Sequence, residues 1–229
     1  MDLHTLDQAI DAAVADIESR LVGYRQAGKT LFATSSFQTQ SIPLLHLLSR
    51  IDRTIPVYFL NTGYHFPETL EFRDTVVQEL ELNLVQLQPL TPKSLQRDRN
   101  GVLYYASDPD QCCFMNKVQP LEPLLKCMDV WVSGIRAVQS AQRRRLRSEE
   151  PTPQGARRYH PLLQWTDPMI YRYAHRYQLP SHPLDACGYA SVGCEPCTRR
   201  RVSEPGRGGR WFGLAKTECG LHVDLVGTR

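Results

Sequence analysis

The sequence predicts an α/β fold in which a mostly parallel, open sheet is flanked by helices. Short apolar runs of strand length alternate with amphipathic runs of helical period over most of the chain. Such alternation is typical of parallel sheets, because each helix returns the chain to the edge where the next strand begins. After Leu179 the pattern changes to a stretch rich in proline, glycine and cysteine, for which we expect an irregular, Cys-rich C-terminal tail.

Local patterns place the individual elements. Apolar residues at helical spacing predict a helix from Thr5 to about Ala27, which Gly28 would end. Thr5 with Gln8 fits a capping box at its start, and Pro67 fits the first position of another helix. Further helices are expected at about 41–50, 112–127 and 167–177. Strands are expected at 30–34, 56–61, 84–87 and 130–133.

Composition limits the class of protein. The 229 residues suffice for one domain, in which we expect an α/β part over 1–180 and a C-terminal segment over 181–229. A net charge of +3 is too small to indicate a nucleic-acid partner. No apolar run approaches the roughly 20 residues of a membrane span. Acidic residues interrupt any leader pattern at the N-terminus, so we expect a cytoplasmic protein.

Polar loops follow the first two expected strands. The loop Ser35-Ser36-Phe37-Gln38-Thr39-Gln40-Ser41 offers hydroxyls and amides beside a helix N-terminus, where an anion can bind. Alone, it is more simply an ordinary polar loop with a helix cap. Thr62 and Gly63 follow the second strand, and parallel strands end at one edge of a sheet. Together the two loops suit a nucleotide, although the Gly-Lys-Ser/Thr pattern of phosphate loops is absent.

The seven cysteines include two pairs with the character of metal ligands. Cys112 and Cys113 are adjacent, and Cys194 and Cys197 form a C-x-x-C pair in a Gly/Pro-rich stretch. Four thiolates suit either zinc or a [4Fe–4S] cluster, and reduced buried thiols are the plainer alternative. Adjacent cysteines favour the cluster, because neighbouring ligands can bind different irons. Two further cysteines are interpreted as structural, Cys127 and Cys187.

Cys219 lies in the segment Glu218-Cys219-Gly220-Leu221-His222. From spacing alone, Cys219 is an exposed cysteine in the tail that has no function. A thiol with a lowered pKa, however, is a strong nucleophile. Nearby cations that would lower its pKa are Lys216, His222, Arg207 and Arg210.

Arginines form two clusters, at 143–147 and at 199–210. They could form a solvated basic face, or they could bind sulfate and phosphate groups, because the planar guanidinium binds such anions through two hydrogen bonds.

Together these motifs resemble one family, the assimilatory reductases of adenylyl sulfate (APS) and phosphoadenylyl sulfate (PAPS). The similarity runs from about Leu31 to His222. The matching stretches are the Ser35 to Ser41 loop, Asn61-Thr62-Gly63, Pro67-Glu68-Thr69, Cys112-Cys113, Lys117, Pro120-Leu121, Gly134-Ile135-Arg136, Gln139-Ser140, Gly188-Tyr189, Gly193 to Arg199, Arg207, Arg210 and Glu218 to His222. Each piece is weak alone, and the combination is highly specific.

The resemblance implies an adenine nucleotide alpha hydrolase-like fold and an oxidoreductase of sulfate assimilation. Cys219 would attack the sulfur of adenylyl sulfate, AMP would leave, and an S-sulfocysteine would form. Thioredoxin or glutaredoxin, as a separate protein, would then release sulfite. The same chemistry on PAPS is the alternative. No nucleic-acid or membrane partner is implied, and assembly into a homo-oligomer stays open.

The resemblance also assigns residues to roles. Cys219 is the catalytic residue, and Lys117 would link a cluster to the substrate. The [4Fe–4S] cluster would be held by Cys112, Cys113, Cys194 and Cys197. The implied substrate-binding residues are Ser35, Ser36, Phe37, Gln38, Thr39, Gln40, Ser41, Thr62, Gly63, Lys117, Arg136, Arg207, Arg210 and His222.

Two positions depart from the family's pattern. Asn61 stands where aspartate is common, and Ala137-Val138 replaces an Arg-Asp pair. The second change removes a cation near the substrate, which Arg143 or Arg144 could replace. Two other classes stay open: an ATP-consuming enzyme of the same nucleotide-binding group, whose Ser-Gly-Gly-x-Asp-Ser loop is absent here, and a zinc-stabilised protein without catalysis.

Overall fold

The computed structural model describes residues 2–200, 209–211, 216 and 218–222. The strands are β1 (Leu31–Thr34), β2 (Val57–Leu60), β3 (Leu84–Leu87), β4 (Val130–Ser133), β5 (Glu149–Pro151) and β6 (Arg157–Tyr159). They form one sheet with the order β3-β2-β1-β4-β6-β5. All neighbours run parallel except β5 and β6, which are antiparallel. The predicted α/β class with a mostly parallel sheet is confirmed.

Helices cover both faces of this sheet. They are α1 (Leu3–Gln26), α2 (Ile42–Ile51), α3 (Pro67–Leu80), α4 (Tyr104–Ser107), α5 (Pro109–Cys113), α6 (Gln119–Cys127), α7 (Asp167–Arg176) and α8 (Pro183–Ala186). Side chains of a strand alternate between faces, so Leu31 and Ala33 pack with α1, α2 and α7. Phe32 packs on the opposite face with α6 and stacks on Trp131, with ring centroids 6.3 Å apart. In the described part of the chain, no helix is long and apolar enough to cross a membrane.

The structure corrects the expected start of the first helix. α1 begins at Leu3, and the Asp2 carboxylate accepts a hydrogen bond from the Thr5 amide at 2.8 Å. Asp2 is therefore the N-cap, and the predicted capping box of Thr5 and Gln8 is wrong because the helix has already begun there. The expected stop is confirmed: Gly28 has a φ of 70°, and its amide donates to the carbonyl of Arg25.

The single helix expected over 112–127 is divided into three elements. α5 ends at Cys113, a π-helical turn spans Phe114–Val118, and α6 follows directly. Turns of this kind are frequent at functional sites, and this one carries Asn116 and Lys117. The hairpin of β5 and β6 was missed, because its strands contain charged residues in place of an apolar run.

The strand order places a crevice between β1 and β4. β2 and β3 extend on one side of β1, whereas β4, β6 and β5 extend on the other. In open α/β sheets ligands bind at such a switch point, beyond the carboxyl ends of the strands. The loops that follow β1 and β4 meet in this crevice.

Candidate active site

A cavity of about 610 Å³ opens at the carboxyl ends of β1 and β4. Its volume is in the usual range for ligand sites. Six residues of the loop after β1 line it, Ser35, Ser36, Gln38, Thr39, Gln40 and Ser41. Five more predicted site residues join them from other parts of the chain, Lys117, Arg136, Cys194, Arg210 and Cys219. The fold therefore brings segments that are distant in sequence to one space.

Three other predicted substrate-binding residues lie elsewhere. The ring of Phe37 is fully buried against Phe59 in the core, so its side chain does not face the cavity. Thr62 lines a second, smaller cavity. Gly63 forms a turn with a φ of 70°, and its carbonyl accepts a hydrogen bond from Lys93 at 3.1 Å. Two predicted groups lie outside the described residues, Arg207 and the side chain of His222.

Asn61 closes the turn after β2. Its Oδ1 accepts a hydrogen bond from the Gly63 amide at 3.2 Å, and its Nδ2 donates to the Gln86 side chain at 3.2 Å. An aspartate could make the first of these bonds, but it could not donate to the glutamine in β3. Asn61 thus connects the turn after β2 to the neighbouring strand β3.

Arg136 is fully buried in the cavity wall and braces the loop after β1. Its Nη2 donates to Gln40 Oε1 at 2.6 Å and to the Asp167 carboxylate at 2.7 Å. Its Nη1 donates to the Trp165 carbonyl at 3.2 Å. The carboxylate at the start of α7 offsets the cost of burying this charge. Arg136 therefore shapes the cavity by fixing Gln40.

The second cavity lies beside the first. All four predicted cluster ligands line it, Cys112, Cys113, Cys194 and Cys197. Lys117 lines both cavities and so stands between them. Cys194 is anchored from two directions, because the Thr62 hydroxyl lies 3.4 Å from its Sγ and its backbone pairs with that of His65. The structure thus brings the adjacent pair and the C-x-x-C pair together.

Burial controls the protonation of these thiols. It raises the pKa of Cys112 to about 11, with a further contribution from Cys194. It also raises the pKa of Cys197. Buried thiols of this kind stay protonated unless a cation beside them stabilises the thiolate form. A metal ion does so, and it deprotonates each thiol that coordinates it. Four soft sulfur donors suit zinc or iron.

The four thiols lie around one cavity, an arrangement compatible with an iron–sulfur cluster. Among the described residues, no three His, Cys, Asp or Glu side chains converge on a point where one metal ion could bind.

Cys219 is only 8% exposed and lines the larger cavity. The thiol of Cys113, followed by the ammonium of Lys117, holds the pKa of Cys219 well below its usual value despite burial. The Leu221 amide and Arg210 act in the same direction. Burial lowers the pKa of Lys117, but the thiolates around it outweigh this and raise its pKa above the ordinary range. Lys117 therefore places an ammonium beside a thiol of lowered pKa.

Arg143 holds the segment that carries Cys219. Its Nε and Nη2 donate to the two carboxylate oxygens of Glu218 at 3.1 Å and 3.0 Å. Both side chains are buried, whereas Arg144 is exposed. Of the two arginines that could replace the missing cation, the structure places Arg143 in the cavity wall.

Arg158 supports the same segment from β6 and was not among the predicted site residues. Its Nη1 donates to the Leu221 carbonyl at 3.0 Å, and its guanidinium lies 4.1 Å from the centre of the Trp131 ring. Burial lowers the pKa of Arg158 to about 9, so it remains a cation at neutral pH. No signal in the sequence could have found it, because β6 has no apolar pattern.

Arg210 connects the tail to the C-x-x-C turn. Its guanidinium donates to the carbonyls of Val192 and Cys197, each at 3.3 Å. A Cβ atom at Gly193 would collide with this guanidinium, so any other residue there would require the arginine to shift. The glycine before Cys194 thus makes room for a cation between the two cavities.

Fold and cavity define the class first: an α/β protein with a cavity at the switch point of a parallel sheet and a cysteine of lowered pKa in the cavity wall. Residues 30–200 match the model of the phosphoadenosine phosphosulfate reductase domain. The chain belongs to this family, and the resemblance inferred from its motifs is confirmed.

Named relatives agree with this assignment. An adenosine 5'-phosphosulfate reductase of Chelativorans sp. (strain BNC1) is 39% identical over 215 residues, which cover 93% of this chain and 86% of the relative. One of Mesorhizobium japonicum is 42% identical over 194 residues, covering 83% of this chain and 75% of the relative.

Solved structures share the fold. The phosphoadenylyl-sulfate (PAPS) reductase of Candida auris, in its phosphate complex, has a TM-score of 0.66 at 20% identity, over 85% of this chain and 96% of that one. The FMN adenylyltransferase of Candida glabrata has a TM-score of 0.60 at 15% identity, over 87% of this chain and 69% of that one. Identities this low speak for the fold alone.

Proposed function

We propose that this chain is an adenylyl-sulfate reductase of sulfate assimilation, which converts adenylyl sulfate to sulfite and AMP. One observation carries the proposal: a thiol of lowered pKa, Cys219, is buried in the same cavity as the polar loop after β1 and lies beside Lys117. The name of the relatives, adenosine 5'-phosphosulfate reductase, supports the same substrate.

In the first step the Cys219 thiolate attacks the sulfur of adenylyl sulfate. A bond forms between Sγ and that sulfur, and the bond from sulfur to the bridging oxygen breaks, so that AMP leaves with the electron pair. Negative charge grows on the departing phosphate. Lys117 and Arg210 face the cavity and offset that charge. The enzyme is left with an S-sulfocysteine.

In the second step a separate dithiol protein, thioredoxin or glutaredoxin, attacks Sγ of Cys219. Sulfite leaves with the electrons of the sulfur–sulfur bond, and a mixed disulfide forms. The second thiol of the partner resolves it and restores the Cys219 thiol. The two electrons of the reduction therefore come from the dithiol, which ends as a disulfide.

The nucleotide is held by the loop after β1 and the N-terminus of α2. Ser35, Ser36 and Thr39 offer hydroxyls, and the helix end provides positive potential for the phosphate. His65 also lines the cavity. Burial lowers the pKa of His65 to about 4, so it is neutral at pH 7 and contributes no charge.

We infer that the four-thiol cavity holds a [4Fe–4S] cluster on Cys112, Cys113, Cys194 and Cys197. Such a cluster would supply a charged inorganic centre beside Lys117, and no electron of the reaction needs to come from it. Once Cys113 is an iron ligand, it no longer donates to Cys219. The groups that still act to lower the pKa of that thiol are Lys117, the Leu221 amide and Arg210.

Purified protein is expected to be brown and to contain about four iron atoms per chain. A Cys197→Ser variant should lose most of this iron, because one cysteine of the set is then missing. Iron and zinc analysis with an absorption spectrum measures both. The matched control is Cys127→Ser, at an exposed cysteine away from the cavity, which should keep its iron. A colourless wild-type protein loaded with zinc would refute the inference.

Adenylyl sulfate is preferred over PAPS as substrate in this proposal. The preference rests on the relatives, which are named adenosine 5'-phosphosulfate reductases.

The test of the proposed function is mass spectrometry of the protein after incubation with adenylyl sulfate and no reductant. One sulfite equivalent should appear on the peptide that contains Cys219, with one AMP released per adduct. Reduced thioredoxin should remove it, and PAPS in a parallel incubation should give the adduct more slowly. AMP release without an adduct on Cys219 would rule out the mechanism.

We place the enzyme in the cytoplasm. Gel filtration will show whether it is a homo-oligomer.

A further inference from the structure

The buried ion pair of Arg143 and Glu218 is not accounted for by the reaction. The Arg143 side chain is 7% exposed and that of Glu218 is 2% exposed. Two parallel hydrogen bonds join them, which is the strong, directional form of an arginine–carboxylate pair. Glu218 is adjacent to Cys219, and its negative charge by itself would raise the pKa of the thiol. A carboxylate in this place therefore needs a reason other than activation of the nucleophile.

Hydrogen bonds lead from this pair to the nucleotide cavity. Arg143 Nη1 donates to Gln139 Oε1, which also accepts from the Arg136 amide at 3.0 Å. Gln139 Nε2 donates to Gln40 Oε1 at 3.3 Å. Gln40 belongs to the loop after β1 that lines the cavity. Together these bonds connect Gln40 in the cavity wall to Glu218 in the segment that carries Cys219.

We propose that Arg143 is a positioning residue that clamps Glu218, seats Cys219 in the cavity, and couples this seating through Gln139 and Gln40 to occupation of the nucleotide site. The inference rests on the proposed function and adds to it a residue that acts through Cys219 without touching the reacting sulfur. Because the coupling is reciprocal, bound nucleotide favours the seated segment, and the seated segment favours the nucleotide.

The reaction requires a clamp that can also release. Cys219 is buried when it faces the nucleotide, but the dithiol of a protein partner must later reach the same sulfur. An ion pair suits this reversal, since both charged groups regain full hydration when the segment leaves. Arg158 makes a separate bond to the backbone of Leu221. Loss of the ion pair should therefore loosen the segment without detaching it at once.

The experiment uses a Glu218→Gln variant of the full-length protein, which keeps the size of the side chain and loses its charge. Amide hydrogen exchange of the peptide that contains 218–222 is measured with and without AMP. In the wild type AMP should slow this exchange, and in the variant the protection should be largely lost. In single turnover with adenylyl sulfate, formation of the adduct should slow by about 10–100-fold, as expected when a reacting group is misplaced. Reduced thioredoxin should release sulfite from a preformed adduct of the variant as fast as from that of the wild type, or faster.

Arginine variants test the other half of the pair. Arg143→Lys keeps the charge but cannot make two parallel bonds, and it should reproduce the loss of protection. The matched control is Arg144→Lys, at the exposed neighbour in the same turn, which should behave as the wild type. In a double-mutant cycle, Glu218→Gln should add little to Arg143→Lys.

These outcomes separate the clamp from the proposed function. Absence of AMP protection in the wild type, or full protection in both Glu218→Gln and Arg143→Lys, would overturn the clamp. Additive effects of the two substitutions would overturn the pairing. Because hydrogen exchange needs no turnover, a wild type that is protected by AMP but forms no adduct would refute the proposed function and leave the clamp standing.

Discussion

A Cys219→Ser variant is expected to release no detectable sulfite, with a loss on the order of 10⁶-fold, as seen when other enzymes lose their nucleophile. A hydroxyl has a far higher pKa than a thiol. Lys117 and Arg210 lower the pKa of the Cys219 thiol, but they cannot ionise serine. Sulfite release from adenylyl sulfate with reduced thioredoxin measures the loss. AMP binding by calorimetry should be unchanged, since serine is nearly the same size.

The control for this variant is Cys187→Ser, because Cys187 is exposed and lies outside both cavities. It should keep full activity and still form the adduct on Cys219. Iron content should equal that of the wild type in both variants, as neither residue is assigned to the cluster. Sulfite release by Cys219→Ser at a rate near that of the wild type would disprove nucleophilic catalysis by this residue.

A Lys117→Met variant is expected to lower the rate of adduct formation by about 10²–10³-fold, the usual effect of removing one group that stabilises developing charge. Methionine keeps the length of the side chain without its charge. Lys117 lines both cavities, so its loss removes positive charge from Cys219 and from the departing phosphate together. Single-turnover kinetics with adenylyl sulfate measures the rate. The pH at which this rate reaches half its maximum should rise, because the pKa of Cys219 rises when the ammonium is absent.

Lys126→Met provides the same chemical change at an exposed lysine in α6 and should leave the rate unaltered. Iron analysis of both variants separates two roles of Lys117. A slow variant with full iron content supports direct stabilisation of the reacting groups. A slow variant without iron would assign Lys117 to the cluster instead. Full activity of Lys117→Met would exclude both roles.

Local patterns in the sequence were sufficient for the framework. Strands at 84–87 and 130–133 match β3 and β4, and Pro67 begins α3 as expected. Their apolar runs are bounded by turn residues, so the signal is contained in a few neighbours along the chain. β5 and β6 lack such a run, because a short pair at the edge of the sheet is stabilised by its partner strand and by ion pairs such as Arg157 with Glu149.

The candidate site, like the fold, has a part that the sequence predicted and a part that only the tertiary structure decided. The sequence by itself indicated the candidates for reactive or ligating chemistry: the loop after β1, the four paired cysteines, Lys117 and Cys219. Only the tertiary structure decided that Lys117 stands between two cavities, that Phe37 turns into the core, and that Arg143 rather than Arg144 reaches Glu218. Residue type and spacing follow from the chain alone, whereas the direction of a side chain and the partner of a buried charge depend on which distant segments pack against it.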